Sequence, residues 1–264
     1  MSIQEFFGWD GYSRTPEGAY SWQHLLYVSG LTIVMIVLGI VLGLWERNKD
    51  EKRKNLVLII TAALIDALYL LKILVFSFRG SNPLYFLYDL PLFLCSIMFL
   101  AIPLAAFSKG RLREAALDFI LIFGILGGTM GNYGAAQNFN AYPVISFDNL
   151  INGLTHSISG FASIYIGVSG LASMKKKNIP ITFAILLSFC LLAYIADILL
   201  PYNYMFLMNH DGTPYVIFYD LVQGNPVLYP IIVVVLFLLY IGVFYAVYLG
   251  ILKAVQKAKK PQSV

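Results

Sequence analysis

Long apolar stretches are the feature that most limits what this chain can fold into. A helix crosses a bilayer with about 20 apolar residues, and seven stretches reach that length: residues 24–45, 56–78, 84–107, 115–131, 150–173, 181–200 and 227–252. Only 12% of the chain is charged, whereas a soluble domain carries about 25%. The sequence therefore predicts an all-α polytopic membrane protein, with seven transmembrane helices forming a single integral membrane domain over residues 1–264.

The positions of the basic residues predict the topology. Most of the 18 Lys and Arg residues lie in residues 46–54, 108–113 and 174–177 and in the C-terminal tail, which includes Lys259 and Lys260. These are alternate connections, so the positive-inside rule places the N-terminus outside and the C-terminus in the cytoplasm. We expect a multi-pass protein of the cell (plasma) membrane whose N-terminus, lacking a basic start, is not a removable signal peptide.

The same composition argues against several other classes of function. No basic-aromatic module accompanies the positive charges, so we expect no nucleic-acid partner. Three His and two Cys are too scattered for metal-ligand spacing, and we expect no metal and no cofactor. The oligomeric state is left open.

Polar side chains within the apolar stretches are costly in a membrane, and each one is a functional hypothesis. The span directions place most of them in the outer half of the bilayer, around a polar cavity open to the outside. The predicted substrate-binding residues are Asn152, Asn149, Asp89, Lys72, His24, Asp197 and Asn203. Asp89 is also placed to cap the third helix, with Pro91 in its first turn.

Cys95 and His156 are the predicted catalytic pair. A thiol needs deprotonation to attack a carbonyl, and a His at matched depth can take the proton. Asn149, Asn152 and His156 are spaced i, i+3, i+7 and so share one helix face. The alternative for Cys95 is a small buried hydrophobe, and for His156 a hydrogen bond between helices. Gly124, Gly127, Gly128 and Gly131 have the spacing that lets helices approach closely.

Four short blocks carry a resemblance to a known family: "WQHLL" at 22–26, "LPLFLCSI" at 90–97, "THS" around His156 and "NYMFL" at 203–207. The chain resembles the YwaF-type bacterial integral membrane family, which is similar to eukaryotic transmembrane acyltransferases that remodel ether phospholipids. The resemblance implies a Cys and a downstream His that form a thioester with a lipid acyl chain, here Cys95 and His156. The bacterial pattern usually has His where this chain has Phe93.

Two hypotheses about function follow. The first is a Cys/His-dependent lipid acyltransferase or acyl hydrolase that acts on a phospholipid or acyl-chain substrate in the outer half of the bilayer. The second is a transporter or solute-binding membrane protein in which the polar residues line a substrate path. A structural subunit of a larger assembly is the third possibility.

Overall fold

Several helices begin where the sequence supplies a capping side chain. The Ser21 hydroxyl accepts a hydrogen bond from the His24 amide at 3.2 Å, and the Asp50 carboxylate accepts one from the Arg53 amide at 2.9 Å. The Ser146 hydroxyl likewise accepts from the Asn149 amide. Each side chain satisfies a backbone donor that has no partner within the helix, which fixes where the helix starts.

A computed structural model describes residues 2–172, 174–200 and 202–258. Ser173, at the end of the predicted fifth span, and Lys259 and Lys260 lie outside the described residues. The helices are α1 (Ile3–Phe7), α2 (Trp22–Glu46), α3 (Glu51–Arg79), α4 (Met98–Phe107), α5 (Gly110–Tyr133), α6 (Ala136–Ala141), α7 (Phe147–Ser169), α8 (Ile179–Leu199), α9 (Val216–Leu221) and α10 (Leu228–Ala258). Three 3₁₀ turns cover Tyr85–Tyr88, Lys176–Asn178 and Tyr204–Phe206. No strand occurs within the described residues, so the all-α prediction is confirmed for that part of the chain.

Five helical segments are long and apolar enough to cross a membrane, and they correspond to α2, α3, α5 with α6, α8 and α10. The predicted fifth span forms a 23-residue helix, α7. It is too polar to count among the five, because Asn and Ser recur along it and Asp148, Thr155 and His156 add to its polarity. Seven spans and the orientation of the termini therefore stay predictions.

The predicted third span, 84–107, is interrupted, and the expectation that its helix begins at Asp89 is wrong. A 3₁₀ turn at Tyr85–Tyr88 is followed by turns and a bend over residues 91–97, and α4 begins only at Met98. Pro91 supplies the physical reason, because proline lacks an amide proton and disfavours the helical conformation in the residue before it. Asp89 consequently does not cap a helix.

Glycines let α5, α7 and α2 pack closely, as the spacing in the sequence predicts. A methyl group at Gly128 would lie 2.8 Å from the Cα of Gly160 in α7, and one at Gly124 would lie 2.6 Å from the Ser159 carbonyl oxygen. On the other side of α7, a methyl group at Gly39 of α2 would lie 2.8 Å from Ile164. These contacts leave no room for side chains, so the three helices form the tightly packed centre of the bundle.

The basic connections meet at one end of the bundle, which we call the basic end. Arg113 forms an ion pair with Glu51, and Lys175 forms one with Glu114 at 3.1 Å. Deeper at the same end, the buried Asp118 carboxylate accepts a hydrogen bond from Tyr245 of α10 at 2.8 Å. The N-terminal segment, the 84–97 segment and the loops around 132–147 and 202–226 meet at the opposite, tyrosine-rich end.

Candidate functional site

The candidate site is built on the irregular segment 89–97, which carries Cys95. Backbone that is not helical needs hydrogen-bond partners when it lies among apolar helices, and tyrosines supply them. The Tyr69 hydroxyl of α3 donates to the Asp89 carbonyl at 2.6 Å. The Tyr204 hydroxyl accepts from the Leu90 amide at 3.0 Å and donates to the Leu87 carbonyl at 3.0 Å. The "LPLFLCSI" and "NYMFL" blocks are therefore in direct contact.

Two glycines one turn apart on α5 bring Cys95 and His156 to the same side of that helix. A methyl group at Gly127 would lie 3.9 Å from the Cα and Cβ of Cys95. A methyl group at Gly131 would overlap the imidazole of His156, which therefore lies directly on the helix backbone. The same imidazole lies beside the backbone carbonyl of Gly127. Glycine at these positions makes space for a segment and a ring that no larger residue would admit.

Cys95 and His156 both lie deep among neighbouring atoms, yet each keeps part of its surface accessible. The backbone amides of Cys95 and Ser96 lie beside the Cys95 sulfur. Within the described residues, no backbone carbonyl accepts a hydrogen bond from either amide. The segment thus offers a thiol, two amide donors that are not bonded to a backbone carbonyl, and an imidazole one turn away along α5.

Lys72 and Asp89 form an ion pair beside this segment. The Lys72 ammonium nitrogen lies 2.6 Å from the Asp89 carboxylate, and the two side chains are 29% and 15% exposed. The sequence analysis did not predict this ion pair. Lys72 and Asp66, the nearest acidic residue on the same helix, are six positions apart and do not share a face.

Asn152 and Asn149, two of the predicted substrate-binding residues, hydrogen-bond to neighbouring backbone. Asn152 lies one turn before His156 on α7, and its amide donates to the Gly131 carbonyl at 3.3 Å. Asn149 is fully buried, and its amide donates to the carbonyls of Tyr142 and Pro143 at 3.0 Å each. Asn152 is thus beside the candidate pair, whereas Asn149 secures the loop that leads into α7.

His24, Asp197 and Asn203 have structural partners instead of facing the candidate pair. His24 is fully buried, and its Nδ1 accepts from the Tyr20 amide at 2.8 Å while its ring stacks on Phe139. Asp197 accepts from the Tyr204 amide at 2.6 Å. The Asn203 amide donates to the Asn209 carbonyl at 2.7 Å within its own loop. Substrate contact by these three residues stays a prediction.

One polar cluster at the tyrosine-rich end was not anticipated from the sequence. Arg79, the last residue of α3, donates two hydrogen bonds to the Asp148 carboxylate at 2.7 and 2.8 Å. The Tyr12 hydroxyl donates to the same carboxylate, and Arg79 also donates to the Phe7 carbonyl at 3.2 Å. The cluster fastens the N-terminal segment to α3 and α7. The signal in the sequence was that Arg79, like Arg14 and Lys72, lies outside the basic connections.

Within the described residues, no group of three or more His, Cys, Asp or Glu side chains is arranged to hold a metal ion.

Comparison with known proteins gives one match. The TMEM164 family model matches residues 19–248, a range that includes Cys95, His156, Lys72 and Asp89. No curated protein and no solved structure matches the chain.

Proposed function

The chain belongs to the TMEM164 family of membrane proteins, and on that premise we propose that it is an acyl-transfer enzyme of the membrane. Cys95 is the nucleophile and His156 the general base. The substrate is a membrane lipid with an acyl ester, such as a phospholipid, and the acceptor is a lysolipid hydroxyl or water.

The observation that carries this proposal is the position of Cys95 and His156 on α5. Residues from two separate elements lie against Gly127 and Gly131, one turn apart on the same helix. Both side chains are partly accessible, as a nucleophile and base that receive a substrate must be. The Gly127 carbonyl beside the imidazole can accept the proton of one ring nitrogen, which leaves the other nitrogen free to act as the base.

The proposed reaction proceeds in two balanced halves. His156 takes the thiol proton, the Cys95 sulfur attacks the ester carbonyl carbon, and a C–S bond forms. The ester C–O bond breaks, and the leaving lysolipid oxygen takes the proton from the imidazolium. In the second half, a hydroxyl of the acceptor loses its proton to His156, and its oxygen forms a C–O bond to the thioester carbonyl carbon. The C–S bond breaks, and the leaving Cys95 sulfur takes the proton from the imidazolium, which restores the thiol.

The amides of Cys95 and Ser96 supply a further part of the proposed chemistry. The tetrahedral intermediate carries a negative oxygen next to the attacking sulfur, and fixed N–H donors stabilise such an oxygen. These two amides lie beside the sulfur, and within the described residues no backbone carbonyl accepts from them. The non-helical backbone around Cys95 leaves both amides able to bind the oxyanion. A continuous helix would instead direct them to carbonyls of the preceding turn.

The alternative proposal, a carrier, needs a polar path between the two ends of the bundle. The close packing of α5 on α7 and the buried Asp118–Tyr245 contact offer less support for such a path than the Cys95 site offers for an enzyme. We therefore favour the enzyme.

The test is an acyl adduct on the purified protein. Intact-mass spectrometry after incubation with phospholipid vesicles should show an added acyl mass that neutral hydroxylamine removes, since hydroxylamine cleaves thioesters. Cys95→Ala should abolish the adduct, and His156→Gln should reduce it strongly. Cys190→Ala is the matched control, because Cys190 is buried, lies in α8 and contacts Met205. An adduct that persists in Cys95→Ala and disappears in Cys190→Ala contradicts the proposal.

A further inference from the structure

We propose that Lys72 is a positioning residue that holds a positive charge beside Cys95 and so favours the thiolate, while Asp89 keeps Lys72 in place. The inference rests on the proposed function, in which Cys95 is the nucleophile. In this step the thiol proton moves to His156, and the charge left on sulfur faces the Lys72 ammonium.

The first support is the way α3 packs along the Cys95 segment. The Tyr69 hydroxyl bonds to the Asp89 carbonyl, and the Tyr69 ring stacks on Phe99 with the ring centroids 4.6 Å apart. One side chain of α3 thus touches the chain both before and after Cys95. Lys72 is three residues further along α3 and lies on the same face as Tyr69.

The second support is the geometry of the Lys72–Asp89 ion pair. The Lys72 ammonium nitrogen and the Asp89 carboxylate are 2.6 Å apart, so Asp89 engages one side of the ammonium. An ammonium has three N–H donors, so Lys72 keeps donors that can face the space beside the thiol. Its 29% exposure shows that it borders open space.

The third support is the set of charges around Cys95. Lys72 and Asp89 both lie within electrostatic range of the Cys95 thiol. On α5, Gly127 lies against Cys95 and brings no charge of its own. Because the surroundings are apolar, a single charge has a larger effect here than it would have in water.

The experiment measures how fast N-ethylmaleimide alkylates Cys95 at one fixed pH, in a Cys190→Ala background that leaves a single thiol. Lys72→Met should slow alkylation by roughly five- to tenfold, because removing a nearby positive charge disfavours the thiolate. Lys72→Arg should keep a rate near that of the parent. Asp89→Asn should accelerate alkylation, because it removes a negative charge near the sulfur.

The two substitutions are expected to change the alkylation rate in opposite directions, and this distinguishes an electrostatic role from a structural one. Both Lys72→Met and Asp89→Asn break the same ion pair, so a purely structural role would change both rates in the same direction. That outcome, or an unchanged rate in Lys72→Met, overturns the inference. Alkylation needs no lipid, so a failure here leaves the acyl-adduct test of the proposed function unaffected.

Discussion

The imidazole of His156 lies against the backbone of α5 at Gly131, so closely that a methyl group at that position would overlap the ring. One turn earlier, Gly127 lies against Cys95 at ordinary van der Waals distance. The two glycines thus differ in what they tolerate, and the difference gives a direct test of the site.

Gly131→Ala should slow formation of the acyl adduct by about tenfold or more, because the new methyl group forces His156 out of place and small displacements of a base are costly. Gly127→Ala should form the adduct at nearly the normal rate, since its methyl group would lie 3.9 Å from the Cys95 Cα and Cβ. Time-resolved intact-mass spectrometry measures both rates. Equal rates in the two variants would show that the position of His156 has no bearing on the reaction.

The Arg79–Asp148 pair should stabilise the fold measurably. The Arg79 and Asp148 side chains are 20% and 4% exposed, and Asp148→Asn leaves a largely buried guanidinium without its counter-charge. We expect a loss of about 2 kcal/mol or more in the free energy of unfolding, seen as a lower melting temperature in detergent micelles. Arg14→Gln is the control, because the Arg14–Glu17 pair is on the surface and such pairs contribute about 1 kcal/mol at most. The role assigned to the Arg79–Asp148 pair would be wrong if Asp148→Asn and Arg14→Gln had the same melting temperature.

The Tyr204 hydroxyl should hold the Cys95 segment in its irregular shape. Tyr204→Phe removes the acceptor for the Leu90 amide and the donor to the Leu87 carbonyl, at a cost of about 1–3 kcal/mol. Hydrogen–deuterium exchange in residues 87–97 should become faster. Tyr202→Phe is the control, because Tyr202 is exposed and its hydroxyl makes no hydrogen bond to the described residues. Unchanged exchange in Tyr204→Phe would mean that other contacts hold the segment.

Tyr12, in the N-terminal segment, should make stability depend on pH in the alkaline range. Burial, together with the hydrogen bond to Asp148, raises the pKa of Tyr12 above its ordinary value of 10.0. The unfolded chain therefore loses this proton at a lower pH than the folded protein does. Tyr12 contributes fully to the free energy of unfolding below the unfolded-state pKa, and this contribution is lost as the pH rises towards the folded-state pKa.

The measurement is the melting temperature of the wild-type protein and of Tyr12→Phe from about pH 8 to about pH 11. The difference in melting temperature between the wild-type protein and Tyr12→Phe should become smaller as the pH rises past about 10. A constant difference over that range would contradict the assignment.

The sequence was most informative where the physics is local or set by pattern. Long apolar stretches predict helices, since helices satisfy their own backbone within a membrane, and five segments of the structure have the required length and hydropathy. Glycine spacing predicts that α5 packs closely against a neighbouring helix, and Gly128 of α5 contacts Gly160 of α7. The alternation of basic connections predicts their common end, where Arg113 meets Glu51.

Contacts between distant residues were much less predictable. The sequence did not pair Lys72 with Asp89 or Arg79 with Asp148, because each pair depends on how two elements rotate about their axes. It also extended a helix through residues 89–97, where tertiary hydrogen bonds from Tyr69 and Tyr204 hold a broken backbone. His24 showed the same limit, since only packing against Phe139 reveals that it is enclosed.

The sequence by itself thus determined the membrane class, the helical fold and the choice of Cys95 and His156 as the residues to test, because hydropathy, glycine spacing and residue chemistry are properties of short stretches. Tertiary structure alone decided that these two residues lie one turn apart along α5, that the Cys95 segment is not helical, and that a lysine–aspartate pair stands beside it. Those features arise from the way separate helices pack. The relative orientation of two helices cannot be predicted from the pattern of residues along the chain.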